Sequence, residues 1–242
     1  MSNVVTIIMA GGLGKRMNST LPKVLHVINE KPMICHTISL ATQVSKKICI
    51  VVGKYKNIIE ETVSKHFPDL MIEYILQPTP QGTGHCIQCC IPYLNANFNS
   101  SDRILILSGD VPLLSLNTLH ALLDCENSIL ITERSNPHGY GRVVLNNNKI
   151  VGIIEEKDCS IGNKQIKMVN CGIYHIELNL LKNLIFNIDN NNCNSEYYLP
   201  DIVKFHQFTP TVLPIEREHE VFNINTPEDM EIAKQFTVQT EI

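Results

Sequence analysis

The sequence predicts an α/β fold: a mixed, mostly parallel sheet with helices on both faces. Three observations carry this. Short, wholly apolar runs such as VVTIIM (4–9), KICIVV (47–52) and RILILS (103–108) recur along the first half of the chain. Segments of helical pattern separate them, and that alternation marks parallel strands joined by crossover helices. After about residue 135 the rhythm changes, and two strand-like runs flank the polar cluster NNN (146–148), which reads as a hairpin.

The elements follow in order. The run at 4–9 reads as a buried strand, and 32–44 as a helix with Pro32 at its start, where a missing N–H does no harm. A strand is expected at 47–52, a helix near 56–66, a strand at 71–76 and a helix over 84–94. A strand at 103–108, a helix over 115–124 and a strand at 128–132 complete the first half. The second half holds the hairpin within 139–157, a helix near 177–186, a mobile Asn-rich loop at 187–194, and a helix from 196 to about 206. A strand TVLPI (211–215) and a last helix from 227 close the chain. No Pro/Ser/Gly-rich linker divides the halves and no repeat is present. The expectation is one domain over 1–242, with a first half of about 1–134 and an extension over about 135–242 packed on the same sheet.

Composition narrows the function classes. The chain has 242 residues, 44% hydrophobic, with a net charge of −4 and a mean hydropathy of +0.01, which reads as soluble and globular. No basic run is present, which argues against nucleic acid, since gripping a phosphate backbone needs clustered Lys and Arg. No apolar stretch reaches the ~18 residues of a membrane span, and no signal peptide is recognisable. Nine scattered cysteines, an odd number, suggest free thiols in a reducing, cytoplasmic setting. Cys86, Cys89 and Cys90 resemble half a zinc site, but no second ligand pair lies at a matching spacing, so they read as core thiols.

The stretch MAGGLGKRM (9–17) follows the first strand, where an open α/β sheet places its ligand. Glycines let the backbone approach a phosphate, and its N–H groups can bind one. A dinucleotide fingerprint fails because position 17 is Met and Pro22 forbids a regular helix. A Walker loop fails because Arg16 follows Gly14-Lys15 and no glycine stands at position 9. What remains is a loop flanked by Arg16, a rigid donor fork, and Lys23, a compact charge, able to hold a triphosphate. A plain glycine turn with surface cations fits the same residues.

The stretch MAGGLGKRMNSTLPKVL (9–25) resembles the signature loop of sugar-phosphate nucleotidyltransferases, and most of all that of the uridylyltransferase domains of bacterial bifunctional enzymes acting on N-acetylglucosamine 1-phosphate. LQPTPQGTGHC (76–86), SGDVPLL (108–114), NPHGYGRVV (136–144), IIEEKD (153–158), VNCGIY (169–174) and SEYYLPDIV (195–203) follow in that family's order. The resemblance covers nearly the whole chain. It departs at Lys15, Ser108, Cys171 and Pro200, where the family carries Thr, Tyr, Thr and Thr, and around FNINTPEDM (222–230). It implies a Rossmann-like fold of the GT-A type, with the hairpin-bearing extension on the sugar side.

The activity implied is that of a cytoplasmic enzyme, joining UTP and N-acetylglucosamine 1-phosphate into UDP-N-acetylglucosamine and pyrophosphate, with Mg²⁺ as cofactor. No hexapeptide period is present, so acetyl transfer is not expected. Another base or sugar, or a non-catalytic sugar-nucleotide-binding regulator, are the alternatives; the oligomeric state stays open. By the resemblance, Arg16 and Lys23 are catalytic and handle phosphate charge, while Asp110 and Asn225 hold the metal. Met9, Ala10, Gly11, Gly12, Lys23, Gln77, Gly82 and Thr83 bind the nucleotide. Ser108, Gly139, Glu155, Asn170 and Tyr198 meet the sugar. Bland readings accompany several: Asp110 as a turn residue, Asn225 leading into a helix, Glu155 on a solvated face, and Tyr197 and Tyr198 as core. His85 opens an apolar helix; the reaction needs no base, so a structural role is expected.

Overall fold

The apolar runs become the strands. In the computed structural model, which describes residues 3–237, β1 (Val4–Met9) leads through a loop to the small antiparallel pair β2 (Val27–Ile28) and β3 (Lys31–Pro32). Then come α1 (Met33–Ala41), β4 (Lys47–Val52), α2 (Lys56–His66), β5 (Ile72–Leu76), α3 (Thr83–Asn97), β6 (Arg103–Ser108), α4 (Leu116–Leu123) and β7 (Ser128–Glu133). The second half adds β8 (Arg142–Asn146), β9 (Lys149–Ile154), β10 (Met168–Glu177), α5 (Leu178–Ile185), β11 (Thr209–Leu213) and α6 (Pro227–Thr237).

The main sheet runs β11-β7-β10-β6-β1-β4-β5, with the β8–β9 hairpin attached through β10. Its pairs are parallel except where β10 runs antiparallel to β6, β7 and β8, and within the hairpin. Side chains alternate across a strand, and β4 shows the result. Cys49 and Val51 join the core beneath α3 and α5, while Ile48, Ile50 and Val52 join the core beneath α1, α2 and α4. A strand covered on both faces has no polar side to show, which is why it reads as a continuous apolar run.

The hairpin turns on Asn147 and Asn148, both at positive φ (49° and 59°). Asn tolerates this conformation, which matches the strand twist. The loop expected to be mobile is tied down: Cys193 N–H donates to Asp158 Oδ1 at 2.9 Å, and Asn194 Nδ2 to the Tyr198 hydroxyl at 2.8 Å. The helix expected from 196 shortens to a 3₁₀ turn, Leu199–Lys204. Residues 196–198 stay extended because Tyr197 N–H donates to Gln81 O (2.8 Å) and Gly84 N–H to Tyr197 O (2.7 Å). Among the described residues no helix is long and apolar enough to cross a membrane.

Candidate active site

The carboxyl ends of β1 and β6 build the floor of a cleft. β1 gives way to Met9-Ala10-Gly11, and β6 ends in Ser108-Gly109-Asp110, stitched to β1 by Gly109 N–H donating to Met9 O at 3.0 Å. Gly11 packs against the end of β4 and against Gln77. A Cβ there would lie 2.9 Å from Gln77 Oε1, so any larger residue would push the Gln77 amide aside.

Asp110 is buried at 7% exposure, and its carboxylate accepts from Ser108 Oγ at 2.5 Å and from the Lys23 ammonium. Lys23 Nζ also donates to Asn225 Oδ1 at 3.0 Å, and Arg16 Nη2 donates to the same oxygen at 2.8 Å. Burial pushes the Asp110 carboxyl up, but the Lys23 charge and hydrogen bonds from Lys23, Ser108 and its own backbone outweigh it and hold the group below its ordinary value. Asn225 is fixed from behind. Asp229 Oδ2 accepts from the N–H groups of Asn225 (2.8 Å) and Thr226 (2.9 Å), and Thr226 Oγ1 accepts from Asp229 N–H (3.1 Å), a reciprocal cap on α6. Its Nδ2 is spent on Asn223 O at 3.1 Å, which leaves Oδ1 to face the two cations.

Three cavities share walls and form one cleft. The first, about 570 Å³, is lined by Met9, Ala10, Gly11, Gly12, Lys23, Gln77, Gly82 and Thr83, and also by Ser108 and Asp110. All the residues expected at the nucleotide are therefore brought together. Gly82 sits at φ 103°, and a Cβ there would lie 2.5 Å from Tyr197 O, so the segment 196–198 closes directly over it.

The second cavity, about 160 Å³, gathers Ser108, Gly139, Glu155 and Asn170. Asn170 is placed by a bulge in β10: the step from Asn170 to Tyr174 pairs with the shorter step from Ile131 to Ile129, which throws Cys171 and Gly172 toward the cavity. Within it Asn170 Nδ2 donates to the Tyr174 hydroxyl at 2.8 Å and Oδ1 accepts from Gly172 N–H at 3.1 Å. Tyr198 stands apart from this cavity. It lines the third, about 610 Å³, with Arg16, Gly139 and Glu155. Thr83 lines all three.

Glu155 and Glu156 divide their roles. Glu156 is paired with the buried Arg142 at 2.7 Å and accepts from Gly139 N–H at 3.0 Å; burial pushes it up, yet these contacts hold it low. Glu155 is pushed up to about 7 by burial first, then by the charges of Asp201, Asp158 and Glu196, with Arg142 opposing. The solvated-face reading of Glu155 therefore fails: it is half-buried in a cavity wall.

Sequence reasoning passed over Tyr140 and Asn223. Both line the second cavity, and the Tyr140 hydroxyl accepts from Asn223 N–H at 3.2 Å. Both lie inside quoted segments, which was their only signal. The cysteines are unpaired, with Cys86 and Cys90 in the core. Among the described residues no cluster of three or more His, Cys, Asp and Glu side chains is arranged to hold a metal.

A mostly parallel sheet with a glycine loop and two cations at its carboxyl edge, opening onto a second polar cavity, carries the groups a nucleotidyltransferase needs to hold a triphosphate beside a second substrate. The family profile described as "MobA-like NTP transferase domain" matches residues 6–159, and the chain belongs to this family. It is 41% identical over 241 residues to a protein of Acanthamoeba polyphaga mimivirus named "Probable UDP-N-acetylglucosamine pyrophosphorylase", covering 93% of this chain and 92% of that one. It is 39% identical over 210 residues to "Bifunctional protein GlmU" of Nitrosomonas europaea, covering 84% of this chain but 44% of the relative, so it spans about half the length of that bacterial protein. Among solved structures it superposes on a UDP-glucose pyrophosphorylase complexed with UDP-glucose, with a TM-score of 0.75, 15% identity and coverage of 99% and 100%. An inositol-1-phosphate CTP transferase from T. maritima gives a TM-score of 0.71 at 16% identity, covering 93% and 90%. These superpositions support the Rossmann-like nucleotidyltransferase fold.

Proposed function

We propose that this chain is a uridylyltransferase that makes UDP-N-acetylglucosamine and pyrophosphate from UTP and N-acetylglucosamine 1-phosphate. The observation that carries this reading is the continuity of the cleft. Lys23, Asp110 and Asn225 stand at the edge of the nucleotide cavity, and Ser108 and Thr83 belong both to it and to the cavity of Glu155 and Asn170. The name of the mimivirus relative supports the same activity. In the reaction an oxygen of the sugar phosphate attacks the α-phosphorus of UTP in line, and the bond to the departing pyrophosphate breaks. The nucleophile is already an anion, so no protein base or covalent intermediate is needed.

Each residue has work to do. Lys23 and Arg16 offset charge on the phosphates, and Arg16 acts most as pyrophosphate departs. Gln77, Gly82 and Thr83 meet base and ribose. Glu155 and Asn170 meet the sugar with carboxyl and amide groups suited to hydroxyls and an acetyl oxygen, with Gly139 leaving room and Tyr198 covering the side.

Asp110 and Asn225 fit a magnesium ion: two hard oxygens converge on one point where the Lys23 ammonium now sits, and magnesium accepts so sparse a protein set when phosphates and waters complete it. When bound, the ion would neutralise charge on the triphosphate and the departing pyrophosphate. The unpaired cysteines fit a cytoplasmic setting.

The test is pyrophosphate release for the four NTPs against several sugar 1-phosphates. N-acetylglucosamine 1-phosphate should exceed glucose 1-phosphate by about a hundredfold in kcat/KM, since a site built for polar partners penalises their absence. Equal values would overturn the N-acetyl assignment, and no release with any pair would overturn nucleotidyl transfer.

A further inference from the structure

Among the described residues, Gln77 is the one amide side chain lining the first cavity, and it is 6% exposed. An amide can present either a donor or an acceptor to a base, depending on how it is turned. Here both hydrogens of Nε2 are used: one goes to Gly82 O at 3.1 Å and the other to His85 Nδ1 at 3.1 Å. Oε1 is left, and it lies against Gly11, where a Cβ would come within 2.9 Å of it.

Gly82 O, which can only accept, makes this orientation one-sided, and His85 holds the second hydrogen of the same nitrogen. An amide nitrogen can only donate, so Nδ1 must be bare and the ring proton must sit on Nε2. Nε2 faces Cys89 Sγ at 3.8 Å, one helical turn along α3, and burial pushes that thiol up, so it stays protonated and soft. Were the amide turned round, Oε1 would face Gly82 O, acceptor against acceptor, even if the ring proton moved to Nδ1 to meet it.

Building on the uridylyltransferase reading, we propose that His85 is a positioning residue that sets base choice. By locking the Gln77 amide it shows the cavity an acceptor, which suits a base with a ring N–H, as in uracil, and repels the bare ring nitrogen of cytosine. The ring nitrogens of His85 are both engaged, so it neither takes a proton from substrate nor touches the phosphates.

Two variants separate positioning from folding. The Oδ1 of His85→Asn overlies Nδ1 and can accept from Gln77, whereas the amide of His85→Gln reaches only toward the Nε2 position. Binding of UTP and of CTP to the full chain is measured by titration calorimetry with magnesium present, beside thermal midpoints. Expected are a preference for UTP of about a hundredfold in the natural chain, a ratio within about threefold of that in His85→Asn, and a loss of at least tenfold in His85→Gln. A ratio unchanged in His85→Gln, with UTP still bound, would overturn the proposal and leave the activity standing. Absence of nucleotide binding by the natural chain would overturn both. The ¹⁵N spectrum of the natural chain supplies a check that needs no variant: a proton found on Nδ1 of His85 would also overturn it.

Discussion

The Lys23 ammonium is in direct contact with the Asp110 carboxylate, 87 positions further along the chain, and shares its remaining donors with Asn225 Oδ1 at 3.0 Å. A buried carboxylate is thus held ionised by a cation that phosphates would also attract. The arrangement resembles a site with a placeholder: one ammonium stands where two oxygens would otherwise be unshielded.

Replacing that carboxylate should separate chemistry from folding. Asp110→Asn keeps the shape and the Ser108 contact, so the thermal midpoint should move by a few degrees at most. Turnover should fall by at least about a hundredfold at saturating magnesium. Asp110→Ala should also abolish turnover with the fold intact by circular dichroism. Activity within a few-fold of the natural chain would remove Asp110 from the reaction.

Arg16 is exposed, lines the third cavity and donates to Asn225 Oδ1 at 2.8 Å. Arg16→Ala should therefore leave stability nearly unchanged. It should lower kcat by about tenfold or more while changing the KM for UTP much less, because the interaction strengthens as charge builds on the leaving group. A normal kcat with a raised KM would assign the side chain to ground-state binding.

Glu155 titrates near 7 rather than near its ordinary 4.5, chiefly because of burial. Between these values the folded chain holds a proton that the unfolded chain has lost, so its stability falls as pH rises from about 4.5 to about 7. Glu155→Gln should remove this dependence. The variant should gain on the order of 1 kcal/mol over the natural chain on going from pH 5 to pH 8, a figure well below the ~1.4 kcal/mol per unit of a fully enclosed group. Denaturant melts at the two pH values measure it, and parallel changes in both proteins would refute the assignment.

Gly82→Ala tests the closure over the nucleotide cavity. Its positive φ and the Cβ position 2.5 Å from Tyr197 O leave no room for a methyl group. The variant should lose about 2 kcal/mol or more of stability and bind UTP at least tenfold more weakly. Calorimetric melts and UTP titration would show it, and a silent substitution would mean that the 196–198 segment moves freely.

Much of this was legible from the sequence where one physical signal dominated. β1, β4 and β6 are apolar runs covered on both faces, and their ends fix where the glycine loop and Asp110 stand. β10 was not legible as a strand, because Asn170, Gly172 and His175 break its pattern; the bulge that interrupts the pairing also supplies the cavity wall. The helix expected from 196 failed for a tertiary reason, the backbone bonds from Tyr197 to Gln81 and Gly84. Tyr140 and Asn223 escaped notice because nothing in a single sequence says that residues 83 positions apart share one hydrogen bond. The link from His85 to Gln77 depends on how a loop delivers its neighbour onto a helix, which spacing alone does not encode.

The central position of β10 also governs the order of events at the ribosome. β7 pairs only with β10 and β11, and β6 keeps one edge open until β10 fills it. Every residue up to Glu133 is therefore synthesised before the strand that joins β6 to β7 exists. A nascent chain halted before residue 168 displays β6 and β7 as unpaired apolar edges, surfaces that invite chaperones or self-association. The strand that shapes the second cavity is thus also the one that joins β7 to the rest of the sheet, with only β11 left to add at the outer edge of β7, so that cavity wall and the joined sheet arrive together.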